Sequence, residues 1–119
     1  MIESGDSYAT EVAATSAAVA ARSGVTNYCL AYQSAGRTPE PWIGPDVCDL
    51  IRERASRGVR AFFIAPIGFV CDHTEILFDL DTEAKAAAAA CGAALRRTAS
   101  LNTSPTFIAM LEDLVRERL

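Results

Sequence analysis

Val59 to Ala65 (V-R-A-F-F-I-A) is a near-continuous apolar run that stops at Pro66 and Gly68 and gives way to a helical pattern. A run of this kind suits a parallel strand buried on both faces, because helices cover such a sheet above and below. The flanking sequence supplies those helices. Asp6 or Ser7 is a good N-cap for a helix from about Tyr8 to Arg22, closed by Gly24. Val25 to Tyr32 (V-T-N-Y-C-L-A-Y) is rich in β-branched and aromatic residues and reads as a strand. Asp46 caps a second helix, Val47 to Arg57, which Gly58 ends. After the central run a helix continues through Lys85 and an alanine run to Cys91, with Gly92 as its stop signal. Ala93 to Thr98 is a further short strand candidate. Ser104-Pro105 then opens a last helix whose Phe107, Ile108, Leu111, Leu114 and Val115 make a 3.6-residue apolar stripe.

The order α-β-α-β-α-(β)-α predicts a three-layer α/β fold, a parallel sheet with helices on both faces. At 119 residues the chain builds one core, hence a single domain over 1–119. Doubly wound domains normally open with a strand, so the first helix reads as the crossover from a missing one. Met1 then reads as an internal or engineered start.

Net charge of −4 offers no basic stripe, which argues against a nucleic-acid partner. No apolar run approaches the roughly 20 residues of a membrane-spanning helix. The first residues have neither a basic nor an apolar leader segment, so a cytoplasmic protein is expected. Cys29, Cys48, Cys71 and Cys91 form no C-x-x-C pair, which leaves a zinc or iron–sulfur site without local support and predicts reduced, mostly buried thiols.

Ligands in such sheets bind at the carboxyl ends of the strands, and two unusual stretches lie there. Gln33 to Pro45 carries three prolines and two glycines, an ordered loop of unusual length leaving the first strand. The turn Pro66–His73 leaves the second. It runs into a helix on which Glu75, Asp79 and Glu83 recur at every fourth position as one acidic row. Like charges at this spacing each cost a helix a few tenths of a kcal/mol, roughly, so helix stability did not select them. The row drifts by about 40° per step on an ideal α-helix, and a wide turn of the π type would straighten it.

His73, the sole histidine, and Glu75 point to opposite sides of a regular helix, so both reach one ligand only if His73 sits at the helix start. An imidazole with carboxylates suits a divalent metal held loosely, and either group could take a proton. The alternatives are a structural histidine and a solvated acidic face. Trp42 is either a loop anchor or the wall of a site for a flat aromatic ligand.

Gly5-Asp6-x-Tyr8, Tyr32-Gln33-Ser34, Pro41-Trp42-Ile43-Gly44-Pro45, Pro66-Ile67-x-Phe69-Val70-x-Asp72-His73-x-Glu75-x-Leu77 and Leu101-Asn102-x-x-Pro105-x-Phe107 occur in order along nearly the whole chain. In this combination the sequence resembles the C-terminal part of ferrochelatases, which insert Fe(II) into a porphyrin. The resemblance implies a chelatase fold of two similar Rossmann-like halves, this chain being the second and lacking the first. It implies that Glu75 binds metal and deprotonates the porphyrin, with His73 in the same catalytic turn. Asp79 and Glu83 match an acidic row leading metal inward on a helix with a π turn. Gln33, Ser34, Trp42 and Ile43 match residues near the porphyrin. The loop is similar to that of Gram-positive-type enzymes, which favours coproporphyrin III over protoporphyrin IX. Fe(II) is a substrate, and neither a tightly bound cofactor nor an iron–sulfur cluster is expected. A histidine essential in the family belongs to an H-S-x-P motif just upstream of Gly5-Asp6-x-Tyr8 and is not in this sequence. The isolated chain is therefore expected to be inactive, with a homodimer through its vacant face as one possible assembly. The rival readings are a non-catalytic half-chelatase module that binds porphyrin or metal, and a cobalt or nickel tetrapyrrole chelatase.

Overall fold

A computed structural model describes residues 7–33 and 44–119. Its elements are α1 (Tyr8–Ser23), α2 (Val47–Ser56), β1 (Ala61–Ile64), a π-helix (Ile76–Ala84) continued by α3 (Lys85–Ala90), β2 (Ala94–Arg97) and α4 (Pro105–Arg116). The fold is mixed α/β with a parallel pair, β1 and β2, in the register Ala61↔Ala94 to Ile64↔Arg97.

Local signals set the helix ends. The Asp46 carboxylate accepts from the Cys48 and Asp49 amides at 2.9 and 3.2 Å, a cap of about 1 kcal/mol. Gly24 closes α1 in the left-handed conformation, φ 70°. Ser7 precedes α1 but its side chain makes no capping bond; Asp6 lies outside the described residues.

The core lies on one face of the sheet. Val47 and Ile51 of α2 meet Ile76, Leu80, Ala84 and Ala88 of the long helix, with Phe62, Ile64 and Leu95 packed beneath them. Ile76 and Leu80 are completely or almost completely buried, each contributing about 1.5–3 kcal/mol of apolar transfer. These core positions recur every four residues, a step that an α-helix of 3.6 residues per turn cannot hold in line. The wider π path, in which the Lys85 amide reaches back five residues to the Leu80 carbonyl, holds it.

Two expectations are corrected. Val25–Tyr32 forms no strand ladder; its sole described bridge is Tyr32↔Asp46, because strand pairing needs a neighbour and none of the described residues provides one. β1 is shorter than Val59–Ala65 and is not covered on both faces: Phe62 and Ile64 meet the core, while Phe63 is 71% exposed on the side where no layer closes over it. The apolar stripe of α4 is present, but none of its residues is buried, since α4 finds no apolar face among the described residues to pack on.

Candidate active site

The site grows out of the end of β1. Gly68 lies so close to the start of α1 that a Cβ there would stand 3.3 Å from the Tyr8 hydroxyl. Ahead of the helix, the Phe69 ring meets the His73 imidazole edge-on at 4.3 Å and 70°. His73 itself stands just ahead of the helix: its carbonyl accepts from the Leu77 amide at 3.0 Å and its Nδ1 from the Ile76 amide at 3.3 Å. This is the irregular helix start that the His73–Glu75 spacing requires. With Nδ1 accepting, the neutral ring carries its proton on Nε2.

A polar network absent from the sequence reading fixes this turn. The Asp72 carboxylate accepts from Ser100 Oγ at 2.7 Å and Asn102 Nδ2 at 3.2 Å, and Arg97 approaches it at 3.3 Å. In return the Asp72 amide donates to Asn102 Oδ1 at 2.9 Å, and the Asn102 amide to the Val70 carbonyl at 2.8 Å. Asn102 adopts φ 46°, a left-handed conformation that asparagine accepts more readily than most residues. Arg97 also grips Asp81 through two parallel bonds of 2.6 and 2.8 Å. The hydroxyl and amide donors, then Arg97, hold the Asp72 carboxyl below the usual carboxylate range; the Arg97 bonds do the same for Asp81. The turn after β1 is thus tied to the turn after β2, with His73 and Glu75 directly beyond the tie.

Glu75 precedes the π-helix, Asp79 lies in its first turn and Glu83 near its end. Each immediately precedes a core residue, Ile76, Leu80 or Ala84, so the acidic row runs alongside the buried row and shares its four-residue step. Glu75 and Glu83 are exposed and Asp79 half-buried. The π geometry extends over nine residues, beyond the single wide turn expected. Among the described residues, no three His, Cys, Asp or Glu side chains converge closely enough to hold an ion.

Gln33 and Glu75 line one cleft of about 1170 Å³ between α1, α2 and β1. Gln33 Nε2 is buried there with no acceptor among the described residues. Ser34, Trp42 and Ile43 lie outside the described residues. Cys29 and Cys71 are exposed and Cys48 and Cys91 half-buried, so the thiols are less buried than expected, though all four are reduced. No helix of the described residues is long and apolar enough to cross a membrane.

The sequence pattern of the family described as Ferrochelatase matches residues 1–119. The chain is 44% identical over 119 residues to the coproporphyrin III ferrochelatase of Geobacillus kaustophilus, covering 99% of this chain and 38% of that protein. It is 50% identical over 103 residues to the coproporphyrin III ferrochelatase of Streptomyces coelicolor, covering 85% and 28%. It is 42% identical over 114 residues to the ferrochelatase of Thermus thermophilus, covering 96% and 36%. The chain thus spans well under half the length of these relatives.

Proposed function

The chain belongs to the ferrochelatase family, and from that premise we propose that it is the second half of a cytoplasmic enzyme of heme biosynthesis that inserts Fe(II) into a porphyrin. Coproporphyrin III is the preferred substrate in this reading, in keeping with the names of the Geobacillus and Streptomyces relatives. The observation that carries the proposal is Glu75: it follows the braced Asp72-His73 turn and faces the same cleft as Gln33.

In the reaction a porphyrin loses two pyrrole protons and gains one Fe(II). Glu75 takes protons from the pyrrole nitrogens and receives the metal. Asp79 and Glu83 pass hydrated Fe(II) along the helix toward it, consistent with a row that makes no closed ion cage. His73 acts first as a donor through Nε2, since protonating Nδ1 or shifting the tautomer would break its bond from the Ile76 amide. Metal ligation through Nε2 requires that same break. Gln33, Ser34, Trp42 and Ile43 contact the porphyrin, and the other half of the enzyme supplies the opposing wall. No tightly bound cofactor or iron–sulfur cluster takes part, and Fe(II) is substrate.

The test is Glu75→Gln in a full-length protein containing this chain, followed by the absorbance change on metallation and by porphyrin fluorescence for binding. Metallation is expected to fall at least a hundredfold while porphyrin affinity stays within about threefold, as for loss of a positioned proton acceptor. Parent-like turnover in the variant removes Glu75 from the reaction.

A further inference from the structure

Arg97, the last residue of β2, stands between the two strand-end turns with its side chain only 14% exposed. Its Nε and Nη2 donate to the two carboxylate oxygens of Asp81 at 2.6 and 2.8 Å. Its Nη1 donates to the Thr98 carbonyl at 3.0 Å and lies 3.3 Å from the Asp72 carboxylate. The guanidinium is in turn held to the sheet, since the Thr98 amide donates to the Ile64 carbonyl at the end of β1. Asp72 and Asp81 bound the segment 72–81, and His73, Glu75 and Asp79 lie inside it. Ser100 and Asn102 hold Asp72, whereas Arg97 reaches both ends. Asp81 is two residues from Asp79 and from Glu83, a spacing that points to the opposite side of the helix. The grip therefore does not sit on the acidic row. Residues 65–73 belong to neither strand nor helix, so the turn has no ladder of its own and depends on bonds from outside it.

We infer that Arg97 is a positioning residue of the reaction: it clamps both ends of segment 72–81 to the end of β2 and so fixes where Glu75 stands in the cleft and how Asp79 follows it. The inference rests on the role proposed for Glu75, through which Arg97 acts; Arg97 itself touches neither porphyrin nor iron. An arginine suits the task because its planar fork matches both oxygens of Asp81 and still presents Nη1 to Asp72, which a lysine ammonium cannot do. A reacting group displaced by about 1 Å loses about a hundredfold in rate, so a loosened clamp registers in turnover before it registers in binding.

The test is steady-state metallation by a full-length protein containing this chain. Arg97→Met is expected to lower kcat at least tenfold while the KM for porphyrin stays within about threefold. Arg97→Lys keeps the charge without the fork and is expected to fall nearly as far. If Arg97→Met fails to fold, Asp81→Asn opens the clamp at its far end with Arg97 in place, and the same loss confined to kcat is expected. Added to Glu75→Gln, Arg97→Met is expected to cost less than about threefold more, because it acts through that carboxylate. Four results overturn the inference: parent-like kcat in both Arg97→Met and Asp81→Asn, parent-like turnover in Arg97→Lys, a porphyrin KM that rises as far as kcat falls, or a full tenfold loss on top of Glu75→Gln. With Glu75→Gln inert, each of these leaves the role of Glu75 standing; parent-like turnover in Glu75→Gln overturns both.

Discussion

Deleting Thr82 tests why the long helix takes the π form. The core row Ile76, Leu80, Ala84 and Ala88 spans twelve residues, 88 − 76. On an ideal α-helix twelve residues turn through about 1200°, leaving the last position about 120° away from the first. That would swing Ala88, which is completely buried, out of the contact with α2. Removing the exposed Thr82 shortens the span to eleven residues and about 1100°, within about 20° of three full turns. The segment can then close as an α-helix with the whole core row intact, losing one weak bond from Thr82 Oγ1 to the Leu77 carbonyl at 3.3 Å. Urea unfolding followed by far-UV circular dichroism should place the deletion variant within about 1 kcal/mol of the parent, against the loss of about 2–5 kcal/mol expected for Leu80→Ala. If the deletion costs as much as Leu80→Ala, the four-residue step is not what the π-helix serves, and the reasoning fails.

Arg97→Met removes the guanidinium that joins Asp81 to Asp72, and should cost at most about 1 kcal/mol through the two-bond pair with Asp81, because that carboxylate is partly exposed and screened. In the parent both carboxyls titrate below their ordinary value. Their contribution is therefore full above the unfolded-state value of about 3.9 and is lost as pH falls through the lower folded values. In Arg97→Met this acid dependence should shrink below pH about 3.9, most for Asp81; an unchanged acid limb in the pH–stability profile would count against the network. Burial, helped by the nearby Asp46 carboxylate, pushes the Cys48 thiol up. Iodoacetamide at pH about 8 should therefore alkylate the exposed Cys29 and Cys71 well before Cys48, as read by peptide mass mapping, and equal rates would refute that ordering.

Much of the helical frame was legible because its signals are local. Asp46 and Gly24 act on amides and carbonyls within a few residues of themselves, and both helix ends fall where they indicate. β2 also formed, although Ala93–Thr98 carried a thin signal. Strand Val25–Tyr32 failed for a nonlocal reason: its residues favour extension, but a ladder is a property of two segments. The same holds for α4, whose stripe is correct and whose partner face is missing among the described residues. The acidic row was visible, yet the stronger clue to the π-helix lay one residue along, in four core positions at a constant step of four. The Asp72 network escaped notice because Ser100 and Asn102 lie 28 and 30 residues from Asp72. Asn102 was conspicuous within its motif without any indication of what it held.

The helix bearing Glu75 is also the connection between the only two paired strands among the described residues. Pairing Ala61 with Ala94 closes a loop of 33 residues, 94 − 61, and that loop contains the whole Pro66–His73 turn and the acidic row. Parallel strands so joined cannot zip from a hairpin, so the chain must order the helix before or together with the pairing. Site assembly and sheet formation are then one kinetic event. The amides of Ile76 and Leu80 should exchange with solvent only when the whole β1–helix–β2 unit opens, which makes that unit's opening rate the lifetime of the site.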